Sequence, residues 1–147
     1  SNIIGGSADL EPSNNTKAYA DVSGEFSREN RAGRNLSFAV REFPMATMLN
    51  GIALHGGFRP FGATFLVFSD YAKPAMRLSA LQHLPVLYVY THDSFYVGED
   101  GPTHQPIEQL SGLRAIPELL VFRPAEANET AASMKFIFTQ NKRPAAL

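Results

Sequence analysis

Apolar positions along this chain fall into blocks of two kinds. From Glu42 to Leu54, the residues Phe43, Met45, Ala46, Leu49, Ala53 and Leu54 recur at the spacing of one helix face. Gly56-Gly57 follows, which predicts a helix C-terminus there. Thr64 to Phe68 is a continuous apolar run, as a strand covered on both faces would have. Ser69-Asp70 then predicts the cap of a helix reaching about His83. Pro85 to Tyr90 (PVLYVY) predicts a second buried strand. Leu119 to Phe122 predicts a third, followed by a helix from about Glu126 to Gln140. Leu36 to Val40 predicts one further short strand. The stretch from Glu11 to Arg34 breaks the pattern. With Pro12, Ser13, Asn14, Asn15, Gly24 and Gly33 it reads as a long polar loop with little core of its own. Strands and helices in alternation, with short connections, predict an α/β fold on a parallel sheet.

Composition narrows the function classes. The 147 residues fit one domain with its own core. The net charge of -1 offers no basic excess for nucleic acid or an anionic membrane surface. There are no cysteines, so disulfides, thiolate chemistry and zinc-thiolate sites are excluded, an absence that permits the cytoplasmic location expected for this chain without establishing it. Ser1 to Asp9 hold no basic stretch followed by an apolar run, and no apolar stretch is long enough for a bilayer. Ile3-Ile4 and Ala145-Ala146-Leu147 read as apolar segments interrupted mid-course, the expectation for a piece of a longer chain.

Ligand sites on parallel sheets sit at the carboxyl ends of strands, so the segment after PVLYVY is the first place to look. Thr91 to Pro106, THDSFYVGEDGPTHQP, holds two of the four histidines, His92 and His104, with Asp93, Glu99 and Asp100. Its spacing alone fits a polar surface loop as well as a site, and matches no familiar closed metal site. Glu42 stands at a strand-to-helix junction. There a carboxylate is either a favourable charge in the first helical turn or a group that holds and shares a proton. Phe65 and Phe68, with Phe58, Phe61 and Tyr71 nearby, are core, stacking pocket or interface. No phosphate-cradling G-x-x-x-x-G-K-[ST], no G-x-G-x-x-G and no G-x-S-x-G is present.

Taken in order, the motifs are more specific than any one of them. GGSADL at Gly5 to Leu10, VREF at Val40 to Phe43, TFLVFSDYA at Thr64 to Ala72, THDS at Thr91 to Ser94 and GEDGPTHQP at Gly98 to Pro106 resemble the middle, pyrimidine-binding domain of transketolases. Arg123-Pro124-Ala125 with Asn128-Glu129 resembles the family's RPAD-x-NE segment, Glu126 standing in place of Asp. Pro44 and Phe95-Tyr96 depart from the family's usual Gly and small or aliphatic pair.

The resemblance implies one domain over 1–147, part of a longer chain. Its fold would be a three-layer sandwich, a central parallel sheet with helices on both faces, the thiamine-diphosphate-binding fold. It implies transfer of a two-carbon ketol group between sugar phosphates. Glu42 matches the glutamate that binds the cofactor's pyrimidine nitrogen, Phe68 the main stacking residue, Phe65 and Tyr71 the lining of the same pocket, and Asp9 an acid near the cofactor. His104 matches a ligand of the donor ketose, so that Glu42 and His104 form the catalytic pair. Asp100 matches the acid that reads a sugar hydroxyl, and His92 and Ser13 groups near the acceptor's phosphate. The GDG motif and Asn pair that hold the diphosphate and Mg²⁺ or Ca²⁺ belong to the family's N-terminal domain and are absent from this sequence, so no metal ligand is expected here. The resemblance also implies a homodimer with the site at the subunit interface, an isolated domain without activity, and apolar surface where other domains dock. A dihydroxyacetone synthase-like transferase and a non-catalytic pairing module are the alternatives.

Overall fold

In the computed structural model, which describes residues 2–147, Leu87–Thr91 form a strand (β3) whose side chains alternate between two separate cores. Leu87 and Val89 pack with Phe61, Ile137 and Ala145, whereas Tyr88 and Tyr90 pack with Met45, Leu49, Met76 and Leu113. A strand with apolar contacts on both sides must lie in a sheet covered on both faces. The other strands are β1 (Ile3–Ser7), β2 (Arg59–Phe65), β4 (Leu120–Val121) and β5 (Ala145–Ala146). They form one sheet of order β1-β2-β3-β5-β4, every neighbouring pair parallel. On one face lie α2 (Glu42–His55), α3 (Ser69–Leu81) and α4 (Gln109–Arg114). On the other lie α1 (Lys17–Ser23), through Tyr19, and α5 (Ala127–Thr139), through Met134 and Ile137. This is the expected three-layer α/β arrangement.

Several boundaries differ from the periodic reading, each for a local reason. The strand expected over Thr64 to Phe68 begins at Arg59 and ends at Phe65, and Leu66–Phe68 is a 3-10 turn. Pro60 and Gly62 hid its first half by looking like breakers. Arg59 donates its N–H to Asn2 on the β1 side, so the next residue faces β3, whose pairing starts only at Phe61. The N–H that Pro60 lacks is therefore not needed by the ladder. At Gly62 an added Cβ would meet Leu49 Cδ1 at 2.6 Å and Met45 Sδ at 2.9 Å, so the bare backbone admits α2. The strand expected over Leu36 to Val40 does not form: Asn35, just before it, bridges to Gly5 and to Glu25, and bonds from Leu36 N–H to Gly5 and Phe38 N–H to Ser7 hold the segment beside β1. Ala39, at φ 55°, turns the chain away into α2. Ser69-Asp70 do not cap α3: Phe68 is its N-cap, without a side-chain bond. The polar stretch from Glu11 carries α1, which has no buried residue.

One polar knot crosses the first core. Asn50 on α2 donates to Ala75 O at 2.9 Å and accepts from Ser79 Oγ at 2.5 Å, and Ser79 Oγ lies 2.7 Å from the Tyr88 hydroxyl. Burial holds the Tyr88 phenol well above its ordinary range, so it stays protonated in the bond. The knot ties α2, α3 and β3 in register.

Two glycines give a paired test. A Cβ on Gly6 would collide with the Leu36 backbone carbonyl, while one on Gly51, inside α2, meets nothing within 4 Å. Gly6→Ala should lower stability by roughly 2–3 kcal/mol. Gly51→Ala should raise it by about 0.5–1 kcal/mol. The check is the urea midpoint at unchanged slope.

Candidate functional site

Because all strands run in parallel, the segments after β1, β2 and β3 leave from one edge. Phe65 and Thr91 are direct register partners at the ends of β2 and β3, and Ala8 N–H bonds to Ala63 O beside them. The apolar side chains that close β2 therefore meet the polar loop that follows β3.

The result is a row of rings. Phe65 and Phe68 stack at 5.8 Å and 8° between planes, and Phe68 and Tyr71 at 6.0 Å and 28°. The 3-10 turn after Phe65 brings Phe68 onto Phe65, and the first turn of α3 adds Tyr71. His92 covers Phe65 at 3.7 Å and 17°. His104 approaches edge-on, 5.3 Å from Phe68 and 6.2 Å from Phe65. Residues 39 positions apart in sequence thus meet over one aromatic surface. Such ring pairs contribute about 0.5–1.5 kcal/mol each beyond area burial. Tyr71 keeps an open face, being 63% exposed.

Glu42 opens α2 and is buried, as Ala39 turns the chain and Arg41 Nε is held by Phe38 O at 3.0 Å. Among the described residues no hydrogen bond is made by its carboxylate. Its charge reaches Tyr90, whose phenol is pushed well above its ordinary value by burial first, then by Tyr88, Asp70 and Glu42. Tyr90 stays protonated and donates to Met76 Sδ at 2.9 Å.

The remaining expected residues separate into three places. Ser13 and His92 line one groove of about 340 Å³ with Asn15, Thr91, Tyr96 and Val97. Asp9 lies instead in a polar cavity of about 180 Å³ with Ser7, Glu11, Asn35 and Ser37, a lining that includes none of the rings of the aromatic row. Asp100 is exposed on the turn before His104, whose N–H is held by Gly101 O and whose Nδ1 lies 2.8 Å from Thr103 Oγ1. No three His, Cys, Asp or Glu side chains gather as a metal site among the described residues.

The periodic reading missed the side chains that hold these loops. Asp70, expected as a cap, accepts from Gln109 Nε2 at 2.6 Å and from Lys73 Nζ at 2.6 Å, and Gln109 Oε1 holds Ile107 N–H at 2.9 Å. This clasp ties the end of the His104 loop to the helix that carries Tyr71. Arg123 grips Asp93 through its carboxylate at 2.9 Å and its carbonyl at 3.0 Å. Asn14 is buried and bridges Ser7 and Thr91. Long-range polar pairs leave no periodic signal, and only their place beside motif residues could have drawn attention to them.

Comparison with known proteins fits this geometry. The family model for the transketolase pyrimidine binding domain matches residues 1–147. A probable transketolase from Streptococcus pneumoniae is 60% identical over 145 residues, covering 99% of this chain and 22% of that protein. The transketolase of Halalkalibacterium halodurans is 56% identical over 145 residues, with the same coverage of 99% and 22%. The structure of the Leishmania mexicana transketolase superposes with a TM-score of 0.95 at 47% identity, over 99% of this chain and 22% of that one. The Pichia stipitis transketolase in complex with sedoheptulose-7-phosphate superposes with a TM-score of 0.94 at 47% identity, with coverage of 99% and 22%. The chain thus spans 22% of the length of these relatives.

The clasp predicts an acid sensitivity. Burial pushes the Asp70 carboxyl up, but the hydrogen bonds from Lys73 and Gln109 and the Lys73 charge outweigh it, leaving it below its ordinary value. A carboxylate depressed in the folded state stabilises it above the unfolded value, near pH 4, and loses that contribution as pH falls through the folded value. The pair is about a third exposed, so the effect should stay under about 1 kcal/mol. Asp70→Asn should remove this part of the pH dependence of the urea midpoint below pH 4 and leave the rest.

Proposed function

As this chain belongs to the transketolase pyrimidine-binding domain family, we propose that the longer protein of which it is one domain transfers a two-carbon ketol group from a ketose phosphate to an aldose phosphate. The observation that carries the reading is the row Phe65, Phe68 and Tyr71 with His92 and His104 set against it. A flat heteroaromatic ring has a stacking surface there, and two imidazoles stand beside it.

The residues present fit thiamine diphosphate. Phe68, with Phe65 and Tyr71, offers the face for its pyrimidine, and Glu42 is a buried carboxyl with no hydrogen-bond partner of its own among the described residues. When bound, that cofactor supplies an electron sink for a carbanion. Glu42 would hold a proton against a ring nitrogen of the pyrimidine. His104 would bind the donor sugar over the aromatic row, and Asp100 would read one of its hydroxyls, rejecting an isomer that leaves the carboxylate unpaired. Ser13 and His92, sharing a groove, would take the acceptor's phosphate end. Asp9 lies in the neighbouring polar cavity, and its contribution would be to the same edge of the cofactor site.

The rest of the site would come from elsewhere. Mg²⁺ or Ca²⁺ and the diphosphate would be held by another domain. The outer side of α2 and its surroundings exposes Val40, Phe43, Met48, Leu54 and Phe58. Ile4, Leu36, Met48, Ile52 and Phe58 line an apolar groove of about 450 Å³ there. Surface of this kind suits contact with other domains or with the second subunit of a homodimer, in a cytoplasmic enzyme of the pentose phosphate pathway. No helix among the described residues is long and apolar enough to cross a membrane.

The test is ketol transfer by the full-length protein from xylulose 5-phosphate to ribose 5-phosphate, with thiamine diphosphate and Mg²⁺. Sedoheptulose 7-phosphate should form. Glu42→Gln should lower kcat by about a hundredfold or more, the scale of a lost proton-transfer group. His104→Ala should lower kcat/KM for the donor. Cofactor binding without product would redirect the search to formaldehyde as acceptor. Failure of the wild-type protein to bind the cofactor would favour a pairing module.

A further inference from the structure

Ser7 closes β1 and Thr91 closes β3, with β2 between them. The side chain of Asn14, 3% exposed, spans that gap. Its amide nitrogen donates to Ser7 Oγ at 2.8 Å, and its amide oxygen accepts from the Thr91 hydroxyl at 2.6 Å. Ser7 Oγ also accepts the Leu10 N–H at 3.1 Å, which fixes the start of the loop that carries Asn14. Thr91 Oγ1 in turn lies 3.0 Å from His92 Nδ1.

A hydroxyl has one proton to give, and an amide oxygen can only accept. The Thr91 proton is therefore committed to Asn14. Toward His92, Thr91 offers only lone pairs, so Nδ1 is the donor in that contact. A neutral imidazole carries one proton, which leaves Nε2 bare. The ring has little freedom to escape this arrangement. His92 is stacked on Phe65 at 3.7 Å, and its backbone is left-handed, at φ 54°, a conformation uncommon for a residue with a Cβ.

We propose that Asn14 is a positioning residue: acting through Thr91, it keeps the proton of His92 on Nδ1 and leaves Nε2 as the nitrogen available to a ligand in the groove shared with Ser13. The chemical consequence rests on the reading of His92 as a contact of the acceptor's phosphate end. With Nδ1–H held by the lone pairs of Thr91, Nε2 is the position open to a second proton, and the doubly protonated ring that a phosphate oxygen selects donates to it from Nε2 while keeping its bond to Thr91.

Neutron diffraction from deuterium-exchanged crystals of the full-length protein reads the proton directly. The expected result is deuterium on His92 Nδ1, with the Asn14 oxygen facing Thr91. In Asn14→Leu the Thr91 hydroxyl is released to donate to Nδ1, and deuterium should leave that atom. Thr91→Val, which removes the acceptor, should have the same effect and serves if Asn14→Leu does not fold. A bare Nδ1 in the wild type overturns the proposal, as does deuterium remaining on Nδ1 in both variants. Asn14→Asp keeps an acceptor toward Thr91 and should retain the wild-type proton position. In ketol transfer, Asn14→Leu should raise KM for the aldose phosphate about tenfold with a smaller change in kcat, and Asn14→Asp should restore it. A displaced proton with unchanged KM supports the wiring and removes His92 from substrate contact. Absence of transfer by the wild type fails the functional reading alone, since the proton position is still read from the crystal.

Discussion

A fully parallel sheet delivers the C-terminal ends of its strands to one edge, and helices on both faces leave that edge as the open boundary. The rest of this structure follows from that constraint. β3 is apolar on both sides because two cores need it so. Its next residue, His92, must then leave the sheet at the level where β2 ends in Phe65. The meeting of imidazole and phenyl is set by register, since Phe65 and Thr91 are partners.

What stabilises the edge differs from what stabilises the sheet. The cores are apolar, with one polar knot of Asn50, Ser79 and Tyr88 that fixes which helix faces which strand. At the edge the connections are long and their own apolar content is small, so side-chain bonds across the sequence take over. Asn14 reaches Thr91, Gln109 reaches Asp70, and Arg123 reaches Asp93. Asn14 ties its loop to β3, Gln109 ties the start of α4 to α3, and Arg123 ties the segment after β4 to the loop after β3. The histidine loop is thus held near its start by Asn14 and Arg123 and at its end by Asp70.

How much of this was legible follows from the range of the forces involved. α2, α3, α5 and β3 were visible because burial acts on residues close in sequence, though Phe43 and Leu54, counted with the apolar face of α2, lie on its exposed side. β2 was half hidden, since Pro60 and Gly62 are tolerated only because of what lies beside them, an unpaired side of the strand and the approach of α2. The break at Ala39 depends on a single positive φ that alanine does not announce. Among the expected site residues, Phe65, Phe68, Tyr71, His92 and His104 are brought together by the fold, and Ser13 joins His92 in one groove. Asp9 lies in a separate cavity, and Asp100 stays on the surface. Motif order carried those residues, because chemistry restricts residue type at fixed places. Asn14 and Gln109 were not legible: their partners lie 77 and 39 residues away.

The composition of the edge also supports the proposal that one domain of this kind supplies only part of a site. It offers rings, imidazoles and carboxylates, which suit a heteroaromatic ring and sugar hydroxyls. Its arginine nearest the histidine loop, Arg123, is already engaged by Asp93. The groove of Ser13 and His92 has room for one phosphate end, whereas a diphosphate needs several cations and backbone donors free to turn toward it. A ligand with an aromatic end and a diphosphate end would therefore lie with only its aromatic end on this domain. The apolar exposure along α2 is consistent with the same division, because a site completed by another domain needs a dry surface to hold that domain against it.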